Sequence, residues 1–191
     1  MTEAEAYRAA VRRLHAEKDA AYGPSWKRRG EIISVLANIA RKVDRLEQVA
    51  AGASITRDEN VLDTATDLLV YALKYQTFLA DHDVGIAAFL FATMPPPYSD
   101  GRHGFERLLD AIDLTPLDDT GPFSTSSAAS SAAVAAFDDL ERCAGDPTRP
   151  SPARERLNRA IILTAAAVSV VASLRRDAPH LYRSFVDSWG E

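Results

Sequence analysis

Apolar residues recur every three or four positions along almost the whole of this chain, and that spacing restricts it to helices. The clearest case is GEIISVLANIARKVDRLEQ, Gly30 to Gln48. There Ile32, Leu36, Ile39, Val43 and Leu46 alternate four and three apart and predict one apolar helix face. A second stretch, DENVLDTATDLLVYALKY from Asp58 to Tyr75, has the same period. No segment reads as a strand and no internal repeat is visible. The expectation is an all-α fold, a bundle of about six to eight helices with one Ser/Ala/Pro-rich internal loop.

Capping residues and helix breakers divide the bundle. Thr2 with Glu5 predicts a capping box that opens a first helix to about Ala20, with Ala6, Ala10, Val11 and Leu14 as its buried stripe. Tyr22-Gly23-Pro24-Ser25 breaks it, because Gly permits unusual φ and Pro disfavours helix at the preceding residue. The second helix runs to about Ala51 and is closed by Gly52. Thr56 with Glu59 predicts a second capping box, opening a helix that ends near Asp81. A short apolar helix, Val84 to Thr93, is stopped by Met94-Pro95-Pro96-Pro97. One short helix lies within Gly104 to Asp113, and Leu114 to Ser131 reads as a mobile loop with a Ser/Ala tract. A helix from about Ala128 to Cys143 ends at Gly145-Asp146-Pro147. Ser151-Pro152 then starts a long helix to about Arg176, with Ser as N-cap and Pro in its first turn. Pro179 opens a terminal helix to about Trp189. The division is a helical core over 1–93, a loop-rich connection with one short helix over 94–131, and C-terminal helices over 132–191 that complete or extend the bundle.

The 191 residues suffice for one domain with a substantial core. A formal charge of −5 argues against an extended nucleic-acid surface, which needs clustered excess Lys and Arg, but leaves room for a local basic site. The single cysteine, Cys143, precludes an internal disulfide and fits a reducing cytoplasm, where it serves as a small packing residue. No secretory signal is visible. Ala160 to Leu174 falls short of the roughly 18 apolar residues of a membrane span and reads as a helix buried within the bundle.

Chemistry concentrates in the first half. Asp63 and Asp67 stand four apart, with Glu59 one turn earlier, so three carboxylates share one side of a helix. Such a set can hold a hard cation together with substrate phosphates, or it can pair with Lys42, Arg45 or Lys74 in a salt-bridge network. Lys42 and Arg45 lie beside the apolar face of the preceding helix, as phosphate ligands or as a solvated face. Asp44 and Glu47 are further acidic candidates on that helix. Tyr22, Gly23 and Trp26 can present aromatic faces to a base with close backbone approach, or simply pack a helix corner. The four histidines, His15, His82, His103 and His180, have no zinc-ligand spacing. Phosphate-loop, dinucleotide-loop, metalloprotease and nucleophile-elbow motifs are lacking.

The order YG-x-x-W, RK-x-DRLE and D-x-x-x-DLL-x-Y resembles the nucleotide modification associated domain family. These small all-α proteins are thought to be related to the MazG-like nucleoside triphosphate pyrophosphatases. The resemblance is carried by Tyr22, Gly23, Trp26, Lys42, Asp44, Arg45, Asp63, Asp67, Leu68 and Tyr71, and it spans roughly Ala16 to Leu79. It implies a magnesium-dependent nucleotide phosphohydrolase, with manganese as a substitute metal. In that role Asp63 and Asp67 are catalytic and bind the metal with Glu59. Tyr22, Gly23, Trp26, Lys42, Arg45 and Tyr71 bind the nucleotide. It is also compatible with a homodimer formed by helix pairing between subunits, the alternative being that the C-terminal helices complete the bundle within one chain. The MazG-like Glu-x-x-Glu pair has no counterpart here, since the corresponding helix offers Asn38, Lys42 and Arg45. That substitution favours direct phosphate binding over magnesium binding.

Three readings follow: a metal-dependent hydrolase of nucleotide phosphoanhydrides or phosphoesters, a nucleotide-binding accessory module without turnover, and an interaction bundle whose charged stripes are salt bridges. The first two make a soluble nucleotide the partner, with no membrane and no long nucleic acid.

Overall fold

The computed structural model describes residues 1–51, 61–119, 121–145 and 151–190. Eight α-helices account for most of them: α1 Glu3–Tyr22, α2 Ala37–Ala50, α3 Val61–His82, α4 Val84–Phe91, α5 His103–Ala111, α6 Ser126–Ala144, α7 Ala153–Asp177 and α8 Pro179–Gly190. The described residues contain no strand, so the all-α bundle read from the sequence is correct. Gly52, the Thr56–Glu59 capping box and Asp146-Pro147 lie outside the described residues.

The core forms around α3, which is buried on nearly all sides from Val61 to Ala80. It packs against α7 and α2, while α6 packs against both α7 and α2. Helix α1 covers one flank, paired with α8. Polar ties fix these contacts. Tyr7 and Thr66 hydroxyls lie 2.9 Å apart between α1 and α3, and Gln76 donates to Thr164 Oγ1 at 2.9 Å between α3 and α7. Among the described residues, α7 alone is long and apolar enough to cross a membrane, and 67% of its apolar window is buried in the bundle. Cys143 is buried, as a packing residue should be.

The first capping box forms as read, with Thr2 accepting from the Glu5 amide and Glu5 accepting from the Thr2 amide. Ala6, Ala10, Val11 and Leu14 are buried. Three expectations need correction. The long helix starts at Ala153 with Pro152 at its N-cap and no side-chain capping hydrogen bond, so Ser151 does not cap it. The Ser/Ala tract is helical from Ser126, not a loop to Ser131. Thr125 caps it by accepting from the Ala128 amide. Alanine favours the helix, and the small residues Ala129, Ser130 and Ala133 let α6 press close to its neighbours. The second helix does not begin as a regular α-helix. Glu31–Leu36 is π-helical, which turns Ile32 out to solvent and buries Val35 beside Leu36. A wider turn shifts the 3/4 spacing out of phase. The remainder of that stripe, Leu36, Ile39, Val43 and Leu46, is buried as read.

Candidate functional site

A cavity of about 450 Å³ opens where α1, α3 and the segment between α1 and α2 meet. One wall is a single face of α3: Asp67, Val70, Tyr71 and Lys74, at spacings of three and four. The facing wall comes from His15, Lys18 and Tyr22 of α1, then Gly23, Ser25 and Trp26, with Asn38 at its edge.

The sequence builds the second wall at two glycines. Gly23 closes α1 at φ +52° and leads into a 3-10 turn, Gly23–Lys27, with Pro24 in its first turn. Gly30, at φ +82°, restarts the helix. Lys27 anchors the turn from outside, donating to Ser99 Oγ at 2.6 Å and pairing with Asp100 at 2.6 Å. Asp81, at the end of α3, accepts from the Tyr98 and Ser99 amides and so holds that loop in place. From inside, the Asn38 amide donates to the carbonyls of Ser34 and Trp26.

Asp67 is the electrostatic centre. Lys18 Nζ lies 2.6 Å from Oδ1, and Lys42 Nζ lies 2.6 Å from Oδ2. One carboxylate thus joins α1, α2 and α3. Burial alone would raise its pKa, but hydrogen bonds and charge from the two lysines outweigh that and hold it below the ordinary value. An ammonium group already sits against each of its oxygens, so a divalent cation there would meet their charge and compete with them. Among the described residues, no group of three or more His, Cys, Asp or Glu side chains converges to hold a metal ion.

Lys74 is the second unusual group. It is 9% exposed, its Nζ lies 4.8 Å from the Trp26 ring centroid and 6.0 Å from that of Tyr71, and that Nζ makes no ion pair or hydrogen bond among the described residues. Burial lowers its pKa to about 8, with Asp19 opposing and Lys18 and Lys27 adding to the drop. His15 is 2% exposed and stacks on Phe105 with ring centroids 3.7 Å apart. Its Nε2 is buried without a hydrogen-bond partner. Burial, then the charges of Lys74 and Arg102, push its pKa down to about 3, so the ring is neutral at physiological pH.

Of the residues named from the sequence, Tyr22, Gly23, Trp26, Asp67 and Tyr71 line the cavity, and Lys42 reaches it through Asp67. The two aromatics of the turn differ. Tyr22 is 71% exposed at the rim, whereas Trp26 is 6% exposed and supports Lys74, so its ring packs the corner instead of offering an open face. Burial, and then the Asp67 charge, push the Tyr71 phenol upward against a smaller opposing effect of Arg41. Arg45 and Asp63 are exposed and outside the lining, as are Asp44 and Glu47. Glu59 lies outside the described residues.

Sequence reasoning weighed a salt bridge between Asp67 and Lys42, and that pair forms. It missed Lys18, His15 and Asn38, and it did not place Lys74 in a cavity. A signal was available, because His15, Lys18 and Tyr22 share one face of the first helix at spacings of three and four. No protein-family model matches this sequence, and no curated protein or solved structure matches it.

Proposed function

We propose that this protein binds a small phosphorylated molecule carrying a planar ring, and that the ligand class is a nucleotide. The charge balance around the cavity carries the reading: Lys18 and Lys42 share one carboxylate, Asp67, and Lys74 stands in the same wall with only the charge of Asp19 opposing it. Cations gathered in excess in a partly desolvated cleft favour a multiply charged anion. Tyr22 at the rim and Tyr71 in the wall supply ring faces for a base. The volume of about 450 Å³ falls in the range of small-ligand sites.

Binding without turnover is favoured over hydrolysis, because both oxygens of Asp67 are engaged by lysines. The hydrolase reading rests on Asp63, one turn before Asp67 on α3, as a second carboxylate. A thermal-shift and calorimetry panel of nucleoside mono-, di- and triphosphates, with and without Mg²⁺, tests both. A melting-temperature rise without consumption supports the binding module, since a ligand of the native state alone stabilises it. Metal-dependent product release that is lost in Asp67→Ala selects the hydrolase. No response to any nucleotide overturns the proposal and leaves the interaction bundle.

A further inference from the structure

Two polar groups of the cavity-lining residues lack a direct partner among the described residues. Lys74, 9% exposed as a residue, makes no ion pair or hydrogen bond through Nζ and has only the charge of Asp19 opposing it, and His15 Nε2 is buried without a hydrogen-bond partner. Native proteins satisfy almost all buried polar groups, and an unmatched one marks a function or a missing species. Both groups belong to the same cavity, and the charge of Lys74 is felt at His15. Lys74 can only donate. A neutral imidazole donates from Nε2 in one of its two tautomers, and an acceptor set against it selects that tautomer. Two donors from residues of one cavity wall, with no acceptor of their own, suit an anion.

The two ends of the cavity are therefore unequal. At the other end Lys18 and Lys42 already share Asp67, so an anion there competes with an existing carboxylate. At Lys74 no carboxylate is paired with the ammonium, and only the charge of Asp19 is felt there. Tyr22 stands at the rim, open to solvent.

Resting on the nucleotide-binding reading, we propose that a terminal phosphomonoester seats on Lys74 Nζ and His15 Nε2–H at the cavity floor, with the ligand's ring outward against Tyr22. The aromatic shelf of Trp26 under Lys74 fixes the ammonium in place. The shared chemistry is a phosphoryl group with terminal, unesterified oxygens. A nucleoside monophosphate and a sugar phosphate both present it, and a cyclic phosphodiester does not.

Calorimetry on the full chain tests this with four probes: inorganic phosphate, a nucleoside 5′-monophosphate panel, ribose 5-phosphate and a nucleoside 3′,5′-cyclic monophosphate. Inorganic phosphate is expected to bind and to compete with the monophosphates, and the cyclic diester is expected to bind at least tenfold more weakly. Lys74→Met keeps the packing and removes the donor, so it should abolish phosphate binding. His15→Leu should weaken binding, and His15→Gln, which restores an N–H, should recover much of it. Tyr22→Ala should reduce nucleotide affinity to that of ribose 5-phosphate while leaving inorganic phosphate unchanged. Undiminished phosphate binding by a folded Lys74→Met, or equal affinity for the cyclic diester, overturns the floor assignment. If nucleotides still bind but depend on Lys18 and Lys42 instead, the nucleotide reading stands and only this placement falls. If no phosphate compound binds, both fall.

Discussion

Lys42 of α2 and Asp67 of α3 meet at 2.6 Å, and the second oxygen of the same carboxylate takes Lys18 of α1 at the same distance. Three successive helices converge on one side chain. It anchors the corner, and it sets two ammonium groups at the edge of a cavity.

Asp67→Asn would leave both lysines without their counter-charge. Stability is expected to fall by about 1–3 kcal/mol, less than for a fully buried pair because the site is partly open to water. Wild-type Asp67 has a lowered pKa in the folded state. Its contribution is therefore fully present above the unfolded value of 3.8 and is lost as pH falls through the lower folded value. Urea denaturation from pH 5 downward should show the acid-side decline flattened in Asp67→Asn. An unchanged midpoint at pH 7 would remove Asp67 from the anchoring role.

Lys74 acts in the opposite sense. Burial lowers its pKa from 10.5 to about 8, so the unfolded chain holds that proton more tightly than the folded one. Below pH 8 the folded state bears the full cost, and the cost is relieved as pH rises from 8 toward 10.5. Lys74→Met is expected to be about 1–3 kcal/mol more stable than wild type at pH 7, with the gap narrowing above pH 8. Gaining stability while losing anion binding is the pattern of a functional group held at a cost to the fold. Thermal melts at pH 7 and pH 9 measure both; a Lys74→Met protein less stable than wild type at pH 7 contradicts this account.

His15 carries an acid-side penalty. Its folded pKa is pushed down to about 3, by burial first and then by Lys74 and Arg102, against an ordinary 6.5. Protons therefore bind the unfolded chain preferentially between those values, and stability falls as pH drops below 6.5. The loss is of order 3 kcal/mol by pH 4. His15→Leu should remove this part of the pH dependence, which denaturant midpoints at pH 7, 5.5 and 4 will reveal. Parallel pH profiles for the two proteins would show that His15 is not the group responsible.

Gly30 has φ +82° and ψ −175°, a region that side-chain-bearing residues avoid. An added Cβ would meet no atom within 4 Å, so the cost of Gly30→Ala is conformational and not a clash. We expect a loss of about 1–3 kcal/mol. Because Gly30 restarts the helix after the turn that carries Trp26, ligand affinity should fall with stability. A neutral Gly30→Ala would mean that the segment adopts another backbone path.

Periodicity made the helices legible. Alanine-rich, 3/4-spaced segments punctuated by Pro and Gly fix helix content locally, and the Thr2–Glu5 capping box depends on four residues alone. The same local signals placed Gly23 and Pro24 at the break that builds one cavity wall. Composition misled at Ser126 to Ser131, where small polar residues read as a loop. The tract is helical because Thr125 caps it, Ser127 Oγ donates to the Ala50 carbonyl, and Ala129 and Ala133 pack in the core.

What the sequence could not decide is which charges meet. Asp63, Asp67, Lys42 and Arg45 look equivalent as stripes, yet the packing of α1, α2 and α3 turns Asp67 and Lys42 together and leaves Asp63 and Arg45 exposed. Lys18 joins them across 49 residues of chain, and His15 and Lys74 enter one cavity from different helices. Helix formation is set by neighbours within a turn or two, so a sequence determines it by itself. Ion pairing, desolvation and cavity shape depend on crossing angles between helices, which side-chain packing sets only when the whole bundle assembles.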